Sequence, residues 1–137
     1  MEAASTADTF TREDRQLLEL QRKHRFRATD CGSDPGYPGN RQTADLHLRK
    51  LACKALPATA WDVDRAAALL AGGGDDDLRG KARARIETFL QNLARKLEES
   101  PSDDSLMSEW RGDPAVLRPV LDALRKGAIT GLGDAPR

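Results

Sequence analysis

From Leu78 to Leu97, the residues Leu78, Ala82, Ile86, Phe89, Leu90, Leu93 and Leu97 recur at steps of three or four, with Phe89 and Leu90 adjacent. Arg79, Lys81, Arg83, Arg85, Gln91, Arg95 and Lys96 occupy the positions between them. A strand, with its period of two, would scatter that apolar set over both faces, whereas a helix gathers it onto one. The spacing predicts an amphipathic helix over 78–99 of about six turns. Its apolar side then has to be covered by the rest of the chain. Aromatic residues make up only 4% of the sequence, so leucine, alanine and valine must build the core, and this favours helices over a β-sandwich.

The remaining segments agree with an all-α chain. Thr11 is placed to cap a helix whose first turn holds Glu13 and Asp14, whose apolar side is Leu17, Leu18 and Leu20, and whose second half is the basic run Arg22–Arg27. Residues 29–42 are rich in Gly and Pro and read as a loop. Thr43 is expected to cap a helix through Leu56, with Ala44, Leu48, Leu51, Ala52 and Ala55 at helical spacing and Pro57 ending it. Asp62 is expected to open the next helix, with Val63, Ala66, Ala67 and Leu70 as its buried stripe and the following glycines as its stop. Asp77 is read as the cap of the long helix. Ser102 would cap a short helix carrying Leu106, Met107 and Trp110. Asp113-Pro114 opens a last one with Val116, Leu117, Val120, Leu121 and Leu124 inward, a kink or restart at Pro119 and a stop at Gly127.

The expectation is a small bundle of five to six helices, read as two subdomains: 11–74, and 75–137 with the long helix, joined by the Gly/Asp run at 72–77. Residues 1–10 and the tail from Thr130 are expected to lack fixed structure.

With 22 basic and 22 acidic residues, no global field selects nucleic acid, membrane or a charged substrate, so any electrostatic preference must be local. Cys31 and Cys53 have neither paired nor metal-ligand spacing and read as free thiols. The first residues have no signal-peptide pattern and no apolar run approaches a membrane span, so the expected compartment is cytosolic or nuclear. Sequence patterns for a zinc protease, a redox dithiol, a nucleophile elbow and a phosphate-binding loop are all missing. His24 and His47 stand alone in the sequence, and the aspartates at 75–77 suit helix capping better than calcium binding. No enzymatic activity, metal or cofactor is expected. Arg111-Gly112-Asp113 spells an integrin tripeptide, but Asp113 already serves as a cap.

Across residues 46–71, Ala55-Leu56, four residues, then Trp61-Asp62-Val63-Asp64-Arg65-Ala66-Ala67 and Leu69-Leu70 resemble the second and third helices of a ubiquitin-associated (UBA-like) domain. The resemblance implies a three-helix fold with Leu56, Ala67 and Leu70 in its core. It further implies a non-catalytic role in binding ubiquitin or a ubiquitin-like fold, through exposed parts of Trp61, Val63, Leu69 and Leu70. Over residues 84–127, the helix Glu87–Leu97, Ser100-Pro101, the acidic pair, Leu106 and Asp113-Pro114-Ala115-Val116 are similar to the core of a PUB domain. That similarity implies binding to the tail of a AAA+ segregase. Two other functional readings come from the residues themselves. One is a nucleic-acid-binding or ribosome-associated protein using Arg22, Lys23, Arg25 and Arg27. The other is a structural subunit whose long helix packs against another chain.

Overall fold

A computed structural model describes residues 9–73, 75–99 and 102–132. Among the described residues, six helices of eight residues or more, and one shorter, make up the fold: α1 (Arg12–Lys23), α2 (Ala28–Ser33), α3 (Arg41–Ala58), α4 (Val63–Ala71), α5 (Asp76–Glu99), α6 (Asp103–Trp110) and α7 (Pro114–Lys126). The protein is all-α. Among the described residues the one β-type pairing is an isolated parallel bridge between Asp62 and Thr130.

α3 is the hub, touching α1, α2, α4, α5 and α7. Its consecutive residues Leu51, Ala52 and Cys53 are all buried, and so are Ala44, Leu48, Ala55 and Leu56. Three adjacent buried positions cannot share one stripe, so this helix is covered on most of its circumference. One core cluster joins Leu51 and Leu56 of α3 to Leu70 of α4, Ile86 and Leu90 of α5, and Leu121 of α7. Residues on either side of the 72–77 run thus share the same core. Between them, α4 ends on Gly72, whose φ of 71° is the left-handed geometry that glycine adopts without a Cβ penalty.

Several boundaries depart from expectation, each for a local reason. α3 begins after Asn40, whose side chain accepts from the Thr43 N–H at 3.0 Å, so Thr43 is the capped residue and not the cap. Pro57 lies inside the last turn of α3. The carbonyls there are taken up by the Thr59 hydroxyl on Ala55 (2.8 Å) and by the Trp61 N–H on Leu56 (2.8 Å), which lets the helix run one residue past the proline. The turn that follows holds Ala60 and Trp61 at positive φ. Asp75, rather than Asp77, accepts from Leu78 N–H at the start of α5 (2.6 Å). α7 continues through Pro119 as one helix. α6 begins after Ser102 as expected, although that side chain makes no capping hydrogen bond.

Two segments expected to be irregular are ordered by burial. Phe10, assigned to a disordered start, is fully buried, and its carbonyl accepts from Arg15 (3.1 Å); residues 1–8 of that segment lie outside the described residues. Thr130 is tied to the turn before α4, donating to the Trp61 carbonyl and accepting from the Val63 N–H, both at 2.9 Å; residues 133–137 of the tail lie outside the described set.

The stretch read as a loop contains α2, which crosses the start of α3. A second small core of Cys31, Tyr37 and Ala44 lies beneath it. Gln21, fully buried, holds this layer together by donating to the Tyr37 hydroxyl and the Ala44 carbonyl, both at 2.9 Å, and accepting from the Cys31 thiol.

Gly32 marks the crossing. A Cβ there would overlap the Arg41 backbone nitrogen and come within 2.7 Å of the Asn40 carbonyl carbon. Alanine in a helix normally gains about 1 kcal/mol over glycine. Overlap with a backbone that cannot swing aside costs about 1–3 kcal/mol or more, so the clash wins. Gly32→Ala is expected to lower stability by about 1–2 kcal/mol, read as a lower urea midpoint with an unchanged slope. A midpoint at or above the parent's would show that α2 does not press on α3 in this way.

Candidate docking groove

Among the described residues a cleft lies where α3, α5, α6 and α7 meet. Its volume is about 450 Å³, within the range of sites that accept organic ligands or a few side chains. Leu48 and Ala52 of α3 and Ile86 and Phe89 of α5 lie on one side, with Leu106 and Trp110 of α6 on the other. The α5 pair is three residues apart and the α3 and α6 pairs four, so each helix turns a stripe toward the cleft. The Phe89 and Trp110 rings stack with centroids 6.2 Å apart. The indole is fixed by its N–H donating to the Asp113 carbonyl at 3.1 Å. It is also packed against Gly112, where a Cβ would lie 2.8 Å from Nε1.

The rim is charged. Arg49, Arg85, Arg95 and Lys96 line it together with Asp45, which bonds both Arg49 (3.1 Å) and Arg85. No motif marked this cleft in advance. The helical spacing of Ile86, Phe89 and Leu93 was legible, but that Leu106 and Trp110 pack with them depends on how α6 sits on α5.

The residues singled out on α4 lie elsewhere, and they do not form one surface. Val63 and Leu70 have no exposed area, because α4 is held between α3 and α5 and both residues point into that packing. Only Trp61 and Leu69 keep partial exposure, and both pack on the core edge. Expecting exposed parts of all four is therefore corrected.

The basic strip is likewise engaged within the chain. Arg22 reaches over the C-terminal end of α4, donating to the Leu70 carbonyl at 2.7 Å and to Leu69 at 3.4 Å, in space that the absent side chain of Gly72 leaves open. Lys23 pairs with Asp34 at 3.2 Å. Arg25 pairs with Asp77 and, at 3.5 Å, with Asp75, while Arg27 meets Asp30 at 3.6 Å. Phe26, which lies within the basic run, is buried, the chain having left helical geometry at Arg25 and Phe26, both at positive φ.

Burial governs the two thiols, His47 and Tyr37. Both thiols are buried; desolvation pushes Cys31 and Cys53 upward, with Asp30 adding to the rise at Cys31, so neither favours the thiolate that attacks or ligates. Burial, with Lys50 nearby, lowers the His47 pKa, and its Nδ1 is bonded to the Tyr37 hydroxyl at 2.9 Å. Burial also raises Tyr37 to about 12. Among the described residues no group of His, Cys, Asp and Glu is placed to hold a metal ion, and no helix is long and apolar enough to cross a membrane. No family model matches the chain, and comparisons with curated proteins and with solved structures returned no significant match.

The contact among Lys23, His24 and Asp34 has a measurable consequence. Hydrogen bonds from His24 (2.7 Å), the Gly36 N–H (2.8 Å) and Lys23 hold the Asp34 carboxyl far below the usual carboxylate range. A depressed folded-state pKa contributes stability that is complete above the unfolded value, about 4, and is lost as pH falls from there. Asp34→Asn is expected to be less stable than the parent at pH 7, with the gap in urea midpoint closing below about pH 4. The same gap at pH 3 as at pH 7 would mean that Asp34 titrates normally.

Proposed function

We propose that this protein is a non-catalytic interaction module that receives a segment of another protein in the cleft between α3, α5, α6 and α7. The observation behind the proposal is the pairing of an apolar floor, continuous with the core, with a charged rim on the same concave surface. Helix-lined grooves of this kind bind partners through a few inserted apolar anchors. The buried thiols and the engaged histidines support a binding role over a catalytic one. A nucleic acid reaching Arg22, Lys23, Arg25 and Arg27 would first have to break the contacts that those side chains make within the chain. Ubiquitin or a ubiquitin-like fold, the partner implied by the UBA-like resemblance, would meet the chain at Trp61 and Leu69, the two residues of that set with any surface.

Site-specific photo-crosslinking separates these surfaces. A benzophenone amino acid would replace, one at a time, exposed Asn92 in the cleft, Arg65 on the outer side of α4, and Arg27 in the basic strip. In cells of the source organism, a discrete protein adduct is expected from position 92 and not from 65 or 27. An adduct confined to position 65 would move the docking site to the UBA-like stretch. Nucleic-acid adducts at position 27 would replace the proposal with the RNA-binding reading.

A further inference from the structure

The turn between α2 and α3 is tied to its neighbours by a chain of hydrogen bonds whose direction can be read atom by atom. The Ala44 carbonyl can only accept, so the Gln21 atom 2.9 Å from it is the amide nitrogen. That group has two hydrogens, and the second goes to the Tyr37 oxygen at 2.9 Å. The amide oxygen is left to accept from the Cys31 thiol at 3.6 Å. Tyr37 therefore accepts on one side and has a single hydrogen to give on the other. The atom facing it there is His47 Nδ1, 2.9 Å away. His47 accepts at Nδ1, which makes it the neutral imidazole with its proton on Nε2.

A second proton on His47 has to enter at Nδ1. Two donors then converge on the Tyr37 oxygen, and the phenol hydrogen loses its acceptor in a residue only 5% exposed. The other members of the chain keep their protons, because burial pushes Cys31 upward and Tyr37 up to about 12. The charges facing His47 are Lys50 on its own helix and Asp14 of α1, which is paired with Lys54. Burial and Lys50 disfavour the charged imidazole and outweigh Asp14. A lowered folded-state pKa makes this contact complete above the unfolded value, about 6.5, and lost as pH falls from there. Both ends of the turn are held independently of His47. Asp34 is tied to His24 and Lys23, and protonating His24 only strengthens that pair; Asn40 is fixed by capping α3. Between these anchors Tyr37 is the side chain that closes the small core over Cys31 and Ala44, apart from the main core. So few apolar contacts leave this turn dependent on its hydrogen bonds.

We infer that residues 35–39 form an acid-released lid: protonation of His47 at Nδ1 frees the Tyr37 side chain and uncovers Cys31, while Asp34, Asn40 and the central bundle stay in place.

The test treats the full-length protein with dithiodipyridine, which reacts with accessible thiols even in mild acid, forming a mixed disulfide at the cysteine and releasing thiopyridone. Peptide mass locates the label. Cys53, buried in the main core, reports global unfolding, whereas Cys31 reports the lid. Between about pH 7.5 and about pH 5, Cys31 labelling in the parent is expected to rise at least about tenfold relative to His47→Gln, with Cys53 protected in both. The glutamine amide oxygen still accepts from Tyr37 and does not titrate, and comparison at each pH cancels the reagent's own pH dependence. In isotope-labelled parent, the His47 ring signals are expected to titrate with the same midpoint as the Cys31 labelling rate. An equal rise of Cys31 in parent and variant would overturn the lid, as would Cys53 labelling in step with Cys31. A His47 midpoint apart from the labelling midpoint would overturn it as well. If Cys53 of His47→Gln is labelled already at about pH 7.5, the variant has not folded, and the comparison of midpoints in the parent decides.

Discussion

Everything in this fold depends on burying α3 around most of its girth. A helix with one apolar stripe is satisfied by one neighbour, but Leu51, Ala52 and Cys53 in succession need partners on several sides. The chain answers by routing α1 and α2, α4, α5 and α7 past the same helix. In a sequence with few aromatics, that arrangement lets many small and medium side chains share one core, so alanines such as Ala44, Ala52, Ala66 and Ala82 matter as much as the leucines. They let helices approach closely, and larger residues there would overpack the interior.

The helices themselves were legible because apolar spacing and caps reinforce each other. Thr11 with Asp14, Asp62 with Arg65, and Asp113 with Pro114 and Ala115 all form the capping arrangements that their spacing implies. The misread positions share a cause: their conformation is decided by partners distant in sequence. Pro57 ends a helix by local rules, yet α3 passes it because Thr59 and Trp61 return to its carbonyls. Residues 29–33 look like loop until Cys31 is placed over Ala44 and Gln21. Phe10 looks like part of a polar tail until it is placed in the core.

The same reasoning explains why the surface was harder to read than the fold. Arg22–Arg27 is basic in sequence, but its neutralising partners Asp34, Asp75 and Asp77 arrive from segments well downstream, and one arginine is spent on the end of α4. Val63 and Leu70 belong by spacing to a buried stripe, and only a three-helix comparison had given them a surface. The cleft is the reverse case. Its floor is made from residues whose spacing marks them as core, and it becomes a surface only because four helices converge without closing.

The strap formed by Thr130 couples two distant parts of the chain in the order of their synthesis. The Val63 N–H is one of the unpaired donors at the start of α4, and its acceptor is the carbonyl of a residue made long after that helix. The entry turn of α4 is thus completed by a residue beyond the end of α7, so the start of a central helix depends on a segment far from it in sequence being in place.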